Sequence, residues 1–106
     1  MENNPFNFEV WEGSAEPILM TFEEDGTAID FSKDQNVKML VTRKDADTLL
    51  FTNTGLADSL GNVTFSLTAA NLSKAGLFDY QVQRLTQGGD LRVIREAEIR
   101  IKRLIS

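Results

Sequence analysis

Between Ser66 and Val82 the chain reads SLTAANLSKAGLFDYQV, and this stretch limits the fold more than any other. Val63, Phe65 and Leu67 alternate with Thr64 and Ser66, the period of a strand with one buried face. The alternation stops at Thr68, passes through small and polar residues to Gly76, and restarts with Phe78, Tyr80 and Val82 set against Asp79, Gln81 and Gln83. Thr68 is a good helix N-cap. Ala69, Ala70, Leu72, Lys74 and Ala75 tolerate a helix, and Gly76 can end one. The stretch therefore predicts a strand, a short helical crossover over residues 69–75, and a second strand. Leu72 is expected to close the open end of a β core while the chain passes from one sheet to the other.

The rest of the sequence repeats the two-residue period in short runs. Phe6, Phe8 and Val10 form one run, Ile18, Met20 and Phe22 a second, and Val37, Met39 and Val41 a third. Ile29 and Phe31 flank Asp30 as a short extended piece, and Thr48 to Phe51 reads as another strand. Asp25-Gly26 and Gly88-Gly89 are tight-turn signals, and Lys44 to Asp47 turns the chain. The final segment, LRVIREAEIRIKRLI, is ambiguous. As a strand it places Leu91, Val93, Ala97, Ile99 and Ile101 on one face, with Arg95 the exception. As a helix it aligns Ile94, Ala97, Ile101 and Leu104. The Gly-Gly hairpin requires an antiparallel partner, so strand is the reading, with Arg95 at a bulge or an open edge. Residues 100–106 remain open to finishing as helix. The sum is one all-β domain over residues 1–106: an antiparallel β-sandwich of about seven strands, with residues 1–11 as a candidate N-terminal arm.

Composition narrows the chemistry. The 106 residues suit a single core. There is no cysteine and no histidine, which excludes disulfides, thiolate zinc sites and histidine-based nucleophilic catalysis. The N-terminus has neither a basic region nor a long apolar region, so no secretory signal is expected. No apolar run is long enough to span a membrane as a helix. Net charge is −5, but residues 1–53 carry eleven acidic and four basic groups while residues 54–106 carry five and seven. Five of the basic residues fall between Arg92 and Arg103. An acidic chain with no aromatics among its basic cluster fits nucleic-acid binding poorly.

No catalytic or metal-binding constellation stands out, and no cofactor is expected. Glu23-Glu24-Asp25 and Asp45/Asp47 lack the loop pattern of a calcium site and sit at turns. The candidate residues are those suited to gripping another protein. Phe6, Phe8 and Trp11 offer aromatic anchors near the N-terminus. Arg92, Arg95 and Arg100 give the last strand a basic side that would set orientation. Trp11 and Tyr80 could instead stack on a sugar, which keeps a carbohydrate-binding or cell-surface adhesion module as the alternative.

The order of pieces also carries a resemblance. Trp11-Glu12-Gly13-Ser14, the Ile18–Phe22 strand, the turn Asp25-Gly26-Thr27, Ile29-Asp30-Phe31 and the Val-Lys-Met-Leu-Val strand come in sequence. Gly61 to Thr68 and Ala75-Gly76-Leu77-Phe78-Asp79-Tyr80-Gln81-Val82 follow. Together, over residues 11–101, they resemble the N-terminal Ig-like domain of tailed-bacteriophage baseplate upper proteins and related virion modules. The resemblance implies an Ig-like sandwich that catalyses nothing. It implies a role in a virion, at the baseplate, in a tail adaptor or as head decoration, after synthesis in the host bacterial cytoplasm. The partners it implies are other virion proteins or repeated copies of the chain, with neither nucleic acid nor membrane. It carries over no functional residue one by one, and the ending from Arg100 to Ser106 is more basic than the usual form.

Overall fold

The computed structural model describes residues 4–44 and 48–105. The expected turn at Asp45 to Asp47 and the first three residues of the candidate arm lie outside the described residues. The strands are β1 (Phe8–Trp11), β2 (Glu16–Thr21), β3 (Glu23–Glu24), β4 (Thr27–Ala28), β5 (Asn36–Arg43), β6 (Leu49–Thr54), β7 (Leu56–Ala57), β8 (Asn62–Leu67), β9 (Gly76–Leu85) and β10 (Leu91–Lys102). Seven of these run four residues or longer, in line with the count read from the sequence. They form a five-stranded sheet in the order β1-β10-β9-β5-β6 and a three-stranded sheet in the order β2-β8-β7, with β3-β4 a separate hairpin.

The two larger sheets face each other because each alternation turns its apolar members to the same side. Met39, Val41, Tyr80, Val82, Ile99 and Ile101 of the large sheet meet Met20, Val63, Phe65 and Leu67 of the small one in one buried cluster. The turn signals perform as read. Asp25 and Gly26 both take positive φ, 54° and 79°, at the tip of the β3-β4 hairpin. β9 and β10 pair antiparallel across the Gly88-Gly89 turn, and their register slips between Val93 and Arg95. That slip is the bulge expected near Arg95.

Three expectations are corrected. First, no helix forms over residues 69–75. Leu72 N donates to Thr68 O at 3.2 Å, which closes one helical turn and no more. Side chains take the remaining groups: Asn71 N donates to Thr68 Oγ1 and Thr68 N donates to Asn71 Oδ1, both at 3.1 Å. Short polar side chains compete with the helical ladder in this way, and seven residues are too few to offset the cost of nucleation. Gly76 opens β9 instead of ending a helix. The functional part of the expectation stands: β8 lies in the small sheet, β9 in the large one, and Leu72 is fully buried between them. Second, the sandwich is not wholly antiparallel. β1 lies parallel to β10, with Phe8 beside Ile99 and Trp11 beside Lys102. Third, Ile29 to Phe31 forms no strand. It is a loop that sinks Phe31 into the core and is held by Phe31 N donating to Asp58 O at 3.1 Å.

A further sheet change carries no alternation signal. β6 belongs to the large sheet and β7, one residue later, to the small one. The hinge is Gly55, where an added Cβ would sit 2.5 Å from Val63 Cγ1 and 2.9 Å from Phe65 Cε1. Only a residue without a side chain fits that approach.

Candidate docking surface

The N-terminal segment is laid along β10 and continues the large sheet beyond its last backbone ladder. Asn4 Nδ2 donates to Glu96 O at 3.1 Å, and Glu98 N donates to Asn7 Oδ1 at 2.8 Å. Glu12 N donates to Lys102 O at 2.8 Å at the other end of β1. Tyr80 reaches out from the core, and its hydroxyl donates to Phe6 O at 2.6 Å. Phe8 meets the Tyr80 ring edge-on at 5.2 Å. The described part of the candidate arm is thus tied to the chain's own fold, and Phe8 belongs to the core margin.

Burial pushes the Tyr80 phenol from 10.0 up to about 12, with the Arg95 charge acting the other way. A raised pKa means the unfolded chain releases this proton more readily. Tyr80's contribution to stability is therefore complete below about pH 10 and is lost as pH climbs towards 12. Tyr80 is the sole tyrosine, so phenolate absorbance reads it directly. The native chain is expected to titrate near 12 and the chain in denaturant near 10; a native midpoint at 10 would remove the buried hydroxyl.

Arg95 does not face outward. Past the bulge it pairs in register with buried Val82 and turns its guanidinium across the open side of the sandwich. Its Cζ lies 3.7 Å from the centre of the Phe6 ring and 4.2 Å from that of Phe22. Its Nη2 donates to Thr21 O at 3.1 Å on the opposite sheet. The two rings and a carbonyl replace the water it loses, and burial lowers its pKa from the ordinary value. Arg95 is a link between sheets. Leucine at this position keeps apolar contact but leaves Thr21 O without its donor. Arg95→Leu is expected to cost about 1–2 kcal/mol in chemical unfolding, and an unchanged midpoint would refute the link. Arg95 was marked in the sequence by its place on an otherwise apolar strand face, which signals an inward cation in search of π partners.

Trp11 does face outward, with 46% of its surface exposed. Lys102, its register partner, sets Nζ 4.1 Å from the ring centre. Beside them Glu9 Oε2 lies 3.7 Å from Arg100 Nε, and Glu9 Oε1 lies 3.6 Å from Lys102 Nζ. Arg100 has exposed Leu77 on its other side. Leu104 and Ile105 follow, also exposed, with Leu104 N donating to Glu12 Oε1 at 3.3 Å. One end of the large sheet therefore presents an aromatic ring and aliphatic side chains among cations that are only loosely paired. Trp11 and Arg100 are the two sequence candidates that the fold brings to one surface. Arg92 is exposed but sits opposite Arg84 near the other end of β10, roughly 27 Å away along the strand. Leu77, Lys102, Leu104 and Ile105 were not singled out in the sequence; only their place beside Trp11 gives them a role.

The outer face of the same sheet also holds a cluster of charge. Lys44 Nζ pairs with Asp79 at 2.9 Å and with Glu98. These carboxylates, Glu98 first, raise the Lys44 pKa. They line a shallow open depression with Leu40, Thr42 and Gln81. Two carboxylates sharing one cation on an open sheet face is an ion-pair network, not the opposed acid and base that hydrolysis needs. Among the described residues no three acidic side chains gather at metal-binding spacing, and no helix is long and apolar enough to cross a membrane.

No protein-family model and no curated protein matches the chain. Among solved structures it is similar to CopC from Methylosinus trichosporium OB3b, with a TM-score of 0.56 at 12% identity over 94% of this chain and 87% of that one. It is also similar to murine CRIg, with a TM-score of 0.50 at 13% identity over 95% of this chain and 94% of that one. Identities this low bear on the fold alone, and on that they agree: the chain has the Ig-like β-sandwich architecture.

Proposed function

We propose that the chain is a non-catalytic structural component of a tailed-bacteriophage virion, a baseplate or tail adaptor or a head decoration, that works by docking on other virion proteins. The observation that carries the docking is Trp11, exposed beside Arg100, Lys102 and Leu77 on a rigid sheet. Tryptophan and arginine contribute most per residue at protein interfaces, and a sheet presents them without ordering cost. The virion setting rests on the resemblance over residues 11–101 to the baseplate upper protein domain. A sugar platform has less support: Tyr80 lies in the core and Lys102 already covers the Trp11 ring.

Mass spectrometry of purified virions from the encoding phage or lysogen tests the setting. The account expects the chain in repeated copies per particle. Its absence from particles, with the free chain abundant in the lysate, would overturn the proposal.

A further inference from the structure

Every open sheet carries two edge strands, and an unpaired edge is a template for another strand. Three of the four edges in this sandwich are short or blocked. β1 has four residues, and Glu16 Oε2 accepts from Trp11 N at 3.1 Å. β2 carries Pro17, which has no N–H, and its Thr21 O is taken by Arg95. β7 has two residues.

β6 is different. Gly55 N donates to Val37 O at 2.8 Å, so residues 51, 53 and 55 turn their peptide groups towards β5. By alternation, the N–H and C=O groups of Thr52 and Thr54 point off the sheet. Neither threonine's peptide group has a partner among the described residues. The strand reads LLFTNT, with no charge, proline or glycine to discourage pairing. Asn53 holds it in place from behind: its Nδ2 donates to Ser66 O at 3.0 Å and to Asn71 Oδ1 at 3.1 Å.

We propose that the β6 edge is where a second copy of this chain docks, antiparallel, so that two five-stranded sheets become one. In the two-fold register centred on Thr52, that residue meets its own symmetry mate and Thr54 lies opposite Leu50. The outward peptide groups of both threonines then find partners. Charge selects the occupant. Each chain carries −5, so two copies repel unless they meet through a strand that brings no charge to the contact. A basic partner would instead be drawn to the acidic groups elsewhere on the surface. Six residues a side fall short of the area of a stable dimer, about 1,200 Å² or more. The pairing is therefore weak in dilute solution and favoured where copies are concentrated on an assembly. This inference does not rest on the virion reading and concerns a different surface from Trp11.

Sedimentation velocity and amide hydrogen exchange on the full chain, from about 10 µM to about 1 mM, test it. The weight-average mass is expected to rise from 11.9 kDa towards twice that value, and exchange at Thr52 and Thr54 to slow severalfold as it does. Thr54→Lys adds charge at an exposed side chain, and Thr52→Pro removes an outward N–H without breaking the ladder to β5. Each is expected to weaken self-association at least tenfold. If Thr52→Pro fails to fold, Thr54→Lys alone decides. A monomer throughout the range would overturn the proposal. So would a dimer of equal strength in the variants, or protection confined to the outer face of the small sheet around Leu19 and Leu56.

Discussion

Leu72→Ala is expected to lower the unfolding free energy by about 3 kcal/mol, within the range for removing a buried leucine side chain. Leu72 has no exposed surface, although it sits in a connection and not in a strand. The turn that carries it is fixed from three sides. Thr68 and Asn71 exchange side-chain and backbone hydrogen bonds, Asn53 reaches Asn71 from β6, and Gly13 N donates to Leu72 O at 2.7 Å. A hole beneath Leu72 has little prospect of closing, because its surroundings are held by hydrogen bonds and not by adjustable packing. Asn71→Ala supplies a test of opposite sign. Were the segment a helix, alanine would favour it. As a side-chain-bonded turn, it is expected to lose about 1–2 kcal/mol. Urea unfolding of both variants checks the pair, and a stabilised Asn71→Ala would contradict the turn.

Gly61→Ala is expected to cost about 3 kcal/mol, combining backbone strain with a steric clash. Gly61 has φ of 82°, and an added Cβ would fall 2.4 Å from Phe22 O. The same glycine accepts from Phe22 N at 2.8 Å, so the clash sits on the bond that ends the β2-β8 ladder. The loop cannot move aside: Asp58 Oδ1 accepts from Leu60 N at 2.8 Å and from Asn62 N at 3.0 Å. In a domain of this size the loss corresponds to a drop of more than about 10 °C in Tm. Gly88→Ala is the control, since nothing lies within 4 Å of its added Cβ and its φ is not positive; a change within about 0.5 kcal/mol is expected there. Equal effects at the two glycines would refute the geometric reason.

The sequence was most informative where structure depends on neighbours. Val63 to Leu67 and Phe78 to Val82 announce their strands because side-chain direction alternates residue by residue. Asp25-Gly26 announces its hairpin because few other pairs accept two positive φ values in succession. Arg95 announced the bulge because it interrupts an apolar face. Pairing partners were less legible. Nothing within Phe8 to Trp11 says that it will lie parallel to β10, some ninety residues later, and nothing in Leu49 to Ala57 but Gly55 says that the chain will change sheets. The site was legible in part for the same reason. Trp11 and Arg100 were named for their chemistry, and the fold places them together. Phe6, Phe8 and Arg95 were named for theirs as well, but they spend it inside the molecule, where an N-terminal segment that looked free is pinned by Tyr80 and Asn7. Arg92 shares a strand with Arg100 but not a surface, since eight residues of extended chain separate them.

Tying down the N-terminal segment also changes what a truncation would mean. Removing residues 1–11 would strip β1 from β10 and take Phe6 from Arg95, so lost assembly could reflect lost folding. Point probes at Trp11 avoid this. Hydroxyl-radical footprinting with mass spectrometry, on the chain in purified particles and on the free chain, tests the docking most directly. The account predicts that oxidation of the Trp11 peptide falls at least severalfold in the particle, while buried Tyr80 reacts little in either state. Equal oxidation of Trp11 in particle-bound and free chain would contradict it.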